Sequence, residues 1–436
     1  MHFNFKTIVY CTLFLIMGCK TTTEEVANFS SVDIEVIYTN EDLSIRGLEI
    51  IAEDTLALAY NTGFGVLKRQ GNKFDDSQMF FNFPSPKQDS VFSTLAFRSV
   101  AVNDALYALS IGNPGTLISL PYKNKDATIS IVYTEEGESV FYDSLAFWDS
   151  MDGIAMGDPT NGCLSILITR DGGLTWNKIA CEDLPQSFDG EAAFAASDTN
   201  IKVIGDKAWI ISGGKASRVF YTEDRGYTWS VATTPLIQGK ETTGGYSIDF
   251  YDETNGFIVG GDYTQPDNNS QNKAVTIDGG KSWSLVANNS GIGYKSCVQY
   301  VPEGQGKALV AVGFTGISFT SDAGKEWKKQ SFLIDTGSQY NPEVCFQLFG
   351  EDKIEMLNHH NEGDQVEVSF NLSSREYNGK YFHNIDAWRI EGQGAGSSEM
   401  EAAPQRLHCG QRPPATGQWR SEWGWGWGRS RETAVI

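Results

Sequence analysis

The chain has 436 residues, a formal net charge of −21 and a pI near 4.6. Phosphate binding needs a basic surface, so this acidity argues against nucleic acid as the main partner. An aromatic content of 12% together with 45 glycines favours an all-β fold with many tight turns.

The N-terminus, residues 1–18, is typical of a lipoprotein signal peptide. A positively charged start precedes the mostly apolar run Thr7 to Met17, and Gly18 precedes Cys19 as a small residue does in a lipobox. The run is too short to span a membrane. We expect lipidation of Cys19, a polar tether over residues 19–31, and an outer-membrane lipoprotein of the cell envelope that faces the periplasm or the cell surface. An ordinary signal peptide is the alternative.

A pattern of eight residues, Thr-x-Asp-x-Gly-x-x-Trp, recurs four times in the middle of the chain. Its tryptophans are 53, 54 and 44 residues apart, which fits one four-stranded blade of a β-propeller. The aspartate can bond the backbone of the turn, the glycine allows a positive φ, and the tryptophan starts a strand. We interpret these Asp boxes as structural. Their aspartates and tryptophans are Asp171, Trp176, Asp224, Trp229, Asp278, Trp283, Asp322 and Trp327.

A second repeated unit lies upstream of the boxes and consists of two short strands joined by an Asp-Gly or Asn-Gly turn. The six copies predict an all-β fold with a β-propeller of six recognisable blades over residues 32–328, or an incomplete ring of seven. The first two copies lack a box. The copies occupy residues 48–61, 100–112, 144–158, 192–214, 247–260 and 297–313.

The boxes, the hairpin turns and the runs Phe188 to Ser197 and Gly244 to Phe250 resemble bacterial propellers related to the photosystem II stability and assembly factor. The resemblance covers residues 32–328 and implies an extracytoplasmic propeller that binds or helps to assemble another protein. It also implies that an N-terminal strand, here Val32 to Tyr38, pairs into the last blade. Its motifs are specific for the fold and define no activity.

After Trp327 the sequence changes character. Residues 329–391 contain short segments with the alternating pattern of β-strands. They resemble part of a small bacterial OB-like domain that is similar to single-strand DNA-binding proteins. In such a domain aromatic side chains stack on bases and basic ones follow the phosphates, whereas the alternative is that the aromatics form the core. The residues concerned are Phe346, Tyr377, Tyr381, Trp388, Arg375, Lys380 and Arg389.

Residues 392–436 are rich in glycine, tryptophan and arginine, and we expect them to be disordered. They are either an interaction tail or the end of a recombined, chimeric gene. In the second case the seam lies within residues 324–330, which suit either the propeller or the OB-like section.

Two cysteines, Cys163 and Cys181, lie symmetrically about Gly172 and face each other if the first box closes a hairpin. In an oxidising compartment this placement predicts a disulfide, and two buried thiols are the alternative. No Cys-x-x-Cys pair or Cys/His cluster indicates zinc, and the sequence has no phosphate loop or dinucleotide fingerprint. We therefore expect neither a metal nor another cofactor.

Each of the six repeated units has one residue near the start of its first strand that we assign to a candidate binding site. If these strands are innermost, equivalent positions in successive blades surround one rim of the central channel. We expect a mouth of mixed charge that binds another envelope protein or a peptide, or alternatively rim residues that are solvated or paired with one another. The six residues are Arg46, Arg98, Asp143, Glu191, Tyr246 and Lys295.

Asp boxes also occur in sialidases, so a glycan-binding or sialidase-like protein is the main alternative. Sialidase chemistry needs an acid, a tyrosine nucleophile and several arginines that hold the substrate carboxylate. Arg170 and Arg225 lie inside box turns, normally on the outer side of a blade, and few other arginines remain in the propeller. We predict a protein that is not an enzyme and has no catalytic residues.

Overall fold

Nearly every element of the chain is a β-strand. Six antiparallel sheets follow one another over residues 45–320 and form a β-propeller, and a seventh sheet follows them. The all-β prediction and the predicted number of blades are confirmed. The computed structural model describes residues 38, 43–71, 73–75, 80–82, 95–124, 128–313, 316–327, 330–335, 343–348, 356–357, 359–360, 366–377 and 380–392.

The first three blades are antiparallel sheets in which the chain steps outwards from strand to strand, and in blade 1 the fourth and fifth strands both pair with the third. The first strands of successive blades contact one another, as innermost strands of a propeller do. Blade 1 contains β1 (Ile45–Ala52), β2 (Thr55–Tyr60), β3 (Gly63–Gln70), β4 (Lys73–Asp75) and β5 (Phe80–Asn82); blade 2 contains β6 (Phe97–Val102), β7 (Leu106–Ser110), β8 (Gly115–Leu120) and β9 (Ser130–Glu135); blade 3 contains β10 (Tyr142–Phe147), β11 (Gly153–Thr160), β12 (Cys163–Thr169) and β13 (Asn177–Lys178).

The last three blades follow the same plan with one addition. Two short strands, β14 (Glu191–Ala192) and β17 (Gly213–Gly214), extend the sheet of blade 5 although they precede it in the chain. Blade 4 contains β15 (Ile201–Ile204), β16 (Lys207–Ile211), β18 (Arg218–Thr222) and β19 (Ser230–Thr233); blade 5 contains β20 (Thr243–Phe250), β21 (Gly256–Asp262), β22 (Lys273–Thr276) and β23 (Ser284–Leu285); blade 6 contains β24 (Cys297–Tyr300), β25 (Leu309–Gly313) and β26 (Gly316–Thr320).

The middle strands of the blades are apolar throughout because each blade is covered on both faces. Successive side chains of a strand point to opposite faces, so both sets are buried when both faces are packed. Every residue of β2 and every residue of β12 is buried. Five apolar clusters fill the interfaces between consecutive blades from blade 1 to blade 6, with Phe97 between blades 1 and 2 and Phe220 between blades 3 and 4.

The four Asp boxes form the turns that follow the third strands of blades 3 to 6. In the first box the Thr169 hydroxyl donates to the Asp171 carboxylate at 2.8 Å and accepts the Gly173 N–H at 2.9 Å. The Trp176 indole N–H donates to the Gly173 carbonyl at 3.2 Å. The other three boxes repeat these bonds. Burial opposes ionisation of Asp171, but bonds from hydroxyl and amide groups outweigh it and lower its pKa.

The boxes also fasten each blade to the one before it. The Tyr107 hydroxyl of blade 2 donates to the Gly172 carbonyl at 2.6 Å, and the Trp209 indole N–H of blade 4 donates to the Gly279 carbonyl at 2.8 Å. A Cβ on Gly280 would lie 2.9 Å from the Trp209 ring, and its φ of +84° also disfavours any other residue. The structural interpretation of the boxes thus extends to contacts between blades.

Blade 6 has three described strands, and the chain beyond them joins another sheet. In blades 3 to 5 the strand after the box tryptophan returns to its own sheet. After Trp327 the chain instead forms β27 (Gln330–Asp335), which pairs with β28 (Glu343–Leu348). The predicted closing strand, Val32 to Tyr38, lies outside the described residues except for Tyr38, which packs on the apolar side chains of blade 1.

The seventh sheet has the strand order β27, β28, β30, β29. Its strands β29 (Val366–Tyr377) and β30 (Lys380–Gly392) form a long hairpin, whereas β28 and β30 are parallel. Tyr377 pairs with Lys380, and the two residues between them in the sequence are Asn-Gly, the pair favoured in two-residue hairpin loops. The OB-like assignment stays a prediction. The signal peptide, the tether and the tail beyond residue 392 lie outside the described residues.

A disulfide joins Cys163 at the start of β12 to Cys181 in a short 3-10 turn, with the Cα atoms 5.6 Å apart. The sequence predicted this disulfide, with two buried thiols as the alternative. The bond fastens the connection between blades 3 and 4, residues 179–200, to the body of blade 3.

Replacing both Cys163 and Cys181 with serine is expected to lower the free energy of unfolding by about 2–4 kcal/mol, because the bond restricts the unfolded chain. Thermal unfolding of the wild type with and without a reductant should show the same loss. A melting temperature that neither the substitutions nor the reductant lowers would contradict this prediction.

Candidate functional site

The predicted rim residues lie at different depths around the propeller axis. Arg46 is exposed and Arg98 is half-buried, whereas Asp143, Tyr246 and Lys295 are buried. These five residues are at or near the start of the innermost strands, on the face that carries the connections between blades. We call this the loop face. The opposite face, which carries the Asp boxes, is the box face.

Two of the buried rim residues make internal contacts. The Tyr246 ring stacks on Phe194 with the ring centroids 3.9 Å apart, and its hydroxyl donates to the Thr242 carbonyl at 2.9 Å. The Lys295 ammonium donates to the Gly316 carbonyl at 2.6 Å. These contacts hold both side chains inside the propeller, whereas Arg46 and Arg98 reach the surface. Binding at the rim stays a prediction.

Glu191 does not lie at the axis with the others. It is on β14, which pairs with β17 at the edge of the blade 5 sheet. Its buried carboxylate accepts the Arg218 Nε–H at 2.9 Å and the Ser212 hydroxyl at 2.6 Å. The innermost strand of blade 4 starts only at Ile201, because the preceding connection is longer than in other blades. Asp198 takes the axis position that the sequence analysis gave to Glu191.

Residues 195–199, which we call the axis segment, fill the centre of the propeller and lead into blade 4. The Asp198 carboxylate accepts the Val100 N–H of blade 2 at 2.9 Å, and its carbonyl accepts the Ser144 hydroxyl of blade 3 at 3.3 Å. A Cβ on Gly47 of blade 1 would lie 2.9 Å from the same carboxylate. The first three blades therefore meet at this one aspartate.

On its other side the axis segment reaches the last two blades. The Ser197 hydroxyl donates to the Ser296 carbonyl at 2.6 Å, immediately before blade 6. The Thr199 carbonyl accepts the Ile248 N–H of blade 5 at 3.0 Å. The axis segment, which leads into blade 4, thus contacts blades 1, 2, 3, 5 and 6. The centre of the propeller is therefore occupied by the chain itself.

Asp198 of the axis segment and three carboxylates from the surrounding blades are buried near the axis, and burial opposes their ionisation. It raises the pKa of Glu49 to about 7 and that of Asp158 to about 6. Burial, with added repulsion from neighbouring carboxylates, raises the pKa of Asp143 and Asp198 well above the ordinary value. Within the described part of the chain, neither carboxyl oxygen of Asp143 has a hydrogen-bond partner. Arg98 provides the opposing positive charge.

A repeated hydroxyl residue in the sequence marks the innermost strands more accurately than the positions that were predicted for the rim. A small hydroxyl side chain stands within the first five residues of the innermost strand in blades 2, 3 and 5, and two residues before that strand in blade 4, and bonds a neighbouring blade. The Ser99 hydroxyl accepts the Leu145 N–H at 2.9 Å, and the Ser247 hydroxyl accepts the Val298 N–H at 3.0 Å. Aligning the repeats on these residues would have selected Asp198 in place of Glu191. They are Ser99, Ser144, Thr199 and Ser247.

A shallow cleft of about 460 Å³ lies between blades 3 and 4 near the box face. The Arg170 guanidinium lies 4.5 Å from the centre of the exposed Tyr227 ring and 3.4 Å from the Asp152 carboxylate. Arg225 pairs with Asp152 at 2.6 Å and with Asp206 at 2.7 Å. Both arginines are therefore paired with carboxylates of the chain itself. They lie on the outer side of the propeller, as the sequence predicted.

The residues considered for single-strand binding lie on three strands of the seventh sheet. Trp388 is 46% exposed, and Arg389 pairs with Glu391 at 2.5 Å. Their role in binding stays a prediction. By strand, the set is Phe346 on β28, Arg375 and Tyr377 on β29, and Lys380, Tyr381, Trp388 and Arg389 on β30.

Among the residues that the structure describes, no group of three His, Cys, Asp or Glu side chains is arranged to hold a metal ion. No helix in the described ranges is long and apolar enough to cross a membrane. Cys19, the predicted lipidation site, lies outside them.

Comparison with known families finds one partial match. Residues 315–391 match the model of a domain of unknown function, DUF3127. The match begins at β26, earlier than the boundary at residue 329 that the sequence suggested, so the last strand of blade 6 is included in it. No curated protein matches the chain.

Several solved propeller structures are similar to the chain at low identity. "YCF48 bound to D1 peptide" is 12% identical, with 67% of this chain and 98% of that chain covered and a TM-score of 0.32. "Structure of U3-55K" is 11% identical, with 67% and 81% covered and a TM-score of 0.45. An ancestral GH74 enzyme is 10% identical, with 83% and 45% covered and a TM-score of 0.44. We take no residue role from these structures.

Proposed function

We propose that the protein is a β-propeller scaffold without enzymatic activity, which binds another protein of the cell envelope and is held at the membrane by a lipid on Cys19. The observation that carries this proposal is the axis segment. Small-molecule and catalytic sites need a concave pocket with converging polar groups. Here the centre of the ring is taken up by residues 195–199, bonded to the surrounding blades. Recognition is left to the outer surface, which suits a macromolecular partner.

The Asp boxes, which suggested the glycan alternative, support a structural role. Both carboxylate oxygens of Asp171 are bonded to Thr175, through its N–H at 2.9 Å and its hydroxyl at 2.6 Å. Asp224 and Asp278 make the equivalent bonds. These polar groups are already satisfied within their own turns, so they offer little to a sugar.

The proposal is tested by photo-cross-linking in intact cells. A photoreactive phenylalanine analogue is placed at Arg46 on the loop face and, in a second variant, at Tyr227 on the box face. We expect one envelope protein to be cross-linked reproducibly at one of these faces. In the Cys19→Ser control, metabolic labelling with an alkyne fatty acid should be lost and the cross-linked product should decrease.

Two results would contradict the scaffold role. One is the absence of any cross-linked envelope protein from both faces while the protein is folded and lipidated. The other is specific binding on a glycan array, or hydrolysis of a sialoside, by the purified protein. The second result would favour the Asp-box glycan alternative.

A further inference from the structure

The innermost strand of blade 1 exposes apolar side chains at positions that other blades bury. Leu48 is 41% exposed and Ile50 is 70% exposed. Between them, the Glu49 carboxylate accepts the Val102 N–H of blade 2 at 2.8 Å. Because successive side chains of a strand point to opposite faces, Leu48 and Ile50 point away from blade 2. In a ring of six blades that side of blade 1 faces blade 6. We call the boundary between blades 6 and 1 the seam.

The residues equivalent to Leu48 in other blades are buried against the blade that precedes them. They belong to the apolar clusters between blades 1 and 2, 2 and 3, 4 and 5, and 5 and 6. On the seam side of blade 1 the cluster includes Tyr38 and Leu43 but, within the described ranges, no residue of blade 6. The buried equivalents are Val100, Leu145, Ile248 and Val298.

Blade 6 has an incompletely covered face at the same boundary. On its middle strand β25, Leu309 and Ala311 are buried in the cluster with blade 5. Val310 and Val312, which point the other way, are only partly buried. Gln299 of the innermost strand, which pairs with Val310, is exposed. The middle strands β2, β7, β12 and β21 are instead buried along their whole length. Blade 6 therefore presents two partly exposed valines towards the seam.

The axis segment joins blades 1 and 6 at the loop-face end of the seam. The Ser197 hydroxyl donates at 2.6 Å to the carbonyl that immediately precedes β24. The carboxylate of the next residue, Asp198, lies 2.9 Å from where a Cβ on Gly47 of β1 would be. Away from this junction, exposure on the seam side of β1 increases from Leu48 to Ile50, towards the box face. The seam is therefore a wedge that is held on the loop face and open towards the box face.

We propose that blades 6 and 1 open and close at the seam, with the axis segment as the hinge. In the closed state Val310 and Val312 pack towards Leu48 and Ile50, as the equivalent faces do at the other interfaces. Burial of this apolar surface favours closure. The structure shows the open state, in which these side chains are in contact with water. Packed interfaces switch between discrete arrangements, so two states are expected in place of a continuous range. The inference concerns the ring itself and does not depend on the proposed scaffold function.

The test measures distances between two spin labels in the full-length protein by double electron–electron resonance. The labels are attached to a ketone-bearing phenylalanine analogue, so the native cysteines stay unchanged. The seam pair replaces Glu53 and Lys307, which are exposed beside the turns that join the first two strands of blades 1 and 6. The matched control pair replaces Glu253 and Lys307, on either side of the packed interface between blades 5 and 6. We expect two distances for the seam pair and one narrow distance for the control pair.

Three variants then identify the closed state and the hinge. Leu48→Asp should remove the shorter distance of the seam pair, because closure would bury its charge. Leu174→Asp makes the same change at an exposed position in the first Asp box and should leave both distances. Ser197→Ala removes the bond from the axis segment to blade 6, so it should increase the fraction of molecules at the longer distance.

The inference is overturned if the seam pair gives one distance as narrow as that of the control pair, since the gap is then rigid. It is also overturned if Leu48→Asp folds and keeps the shorter distance, because that state then does not bury the seam. If Leu48→Asp does not fold, the comparison of the two label pairs in the wild-type background decides. An unchanged distribution in Ser197→Ala would overturn the assignment of the axis segment as the hinge.

Discussion

The Glu191→Ala variant is expected to lose about 3–5 kcal/mol of unfolding free energy, because it leaves the charge of Arg218 buried without its partner. The side chains of Glu191 and Arg218 are 0% and 7% exposed, and two guanidinium nitrogens contact the carboxylate. Water cannot replace the lost carboxylate at such a depth. Thermal and urea unfolding of the purified variant measure the loss.

A double variant distinguishes the cost of leaving one buried charge unpaired from the contribution of the ion pair itself. Glu191→Leu combined with Arg218→Met removes both charges and keeps much of the side-chain volume, so we expect it to be more stable than Glu191→Ala alone. A change of only about 0.5 kcal/mol in Glu191→Ala, as at an ordinary surface position, would show that the pair is not desolvated as the structure indicates.

The melting temperature is expected to fall as the pH rises from about 4 to about 8. Burial raises the pKa of Asp158 to about 6 and that of Glu49 to about 7, so the folded protein keeps protons that the unfolded chain has already released. Stability from these groups is complete below the ordinary carboxyl pKa and is lost as the pH passes their raised values. The buried Asp143 acts in the same direction.

General repulsion in an acidic protein also lowers stability at high pH, so two neutralising variants are compared. Asp143→Asn and Asp189→Asn each remove one negative charge, but Asp143 is buried and Asp189 is fully exposed. Asp143→Asn should flatten the dependence of melting temperature on pH and add about 1–3 kcal/mol of stability at pH 8. If the melting temperature depends on pH equally steeply in both variants, the buried carboxylates near the axis do not control that dependence.

Short-range features of the fold could be predicted because their chemistry lies within a few residues. The box from Thr169 to Trp176 contains the hydroxyl, the carboxylate, the glycine and the indole that bond one another in the turn. The hairpin at residues 144–158 likewise carries its turn residues and its two strands together. Repetition of such units then fixed the number of blades.

Features that depend on long connections could not be predicted in the same way. Glu191 lies within the repeat-like run of residues 188–197, but an extended connection places it on the edge of another sheet and brings Asp198 to the axis. The pairing of β27 depends on a competing strand, β28, that follows it in the chain. An alignment of the repeats compares equivalent positions in successive blades. It therefore contains no information about which of two possible partner strands a given strand will pair with.

The axis segment has a consequence for the order in which the protein is assembled. Blades of repeat proteins usually interact only with their neighbours, so each can form in turn. Here bonds from the axis segment span 97 and 98 residues back to blade 2 and 99 residues forward to Ser296. The first three blades emerge during synthesis before the segment that joins them at the centre exists. We therefore expect the ring to gain its stability late and in one step, with slow folding and cooperative unfolding in place of loss blade by blade.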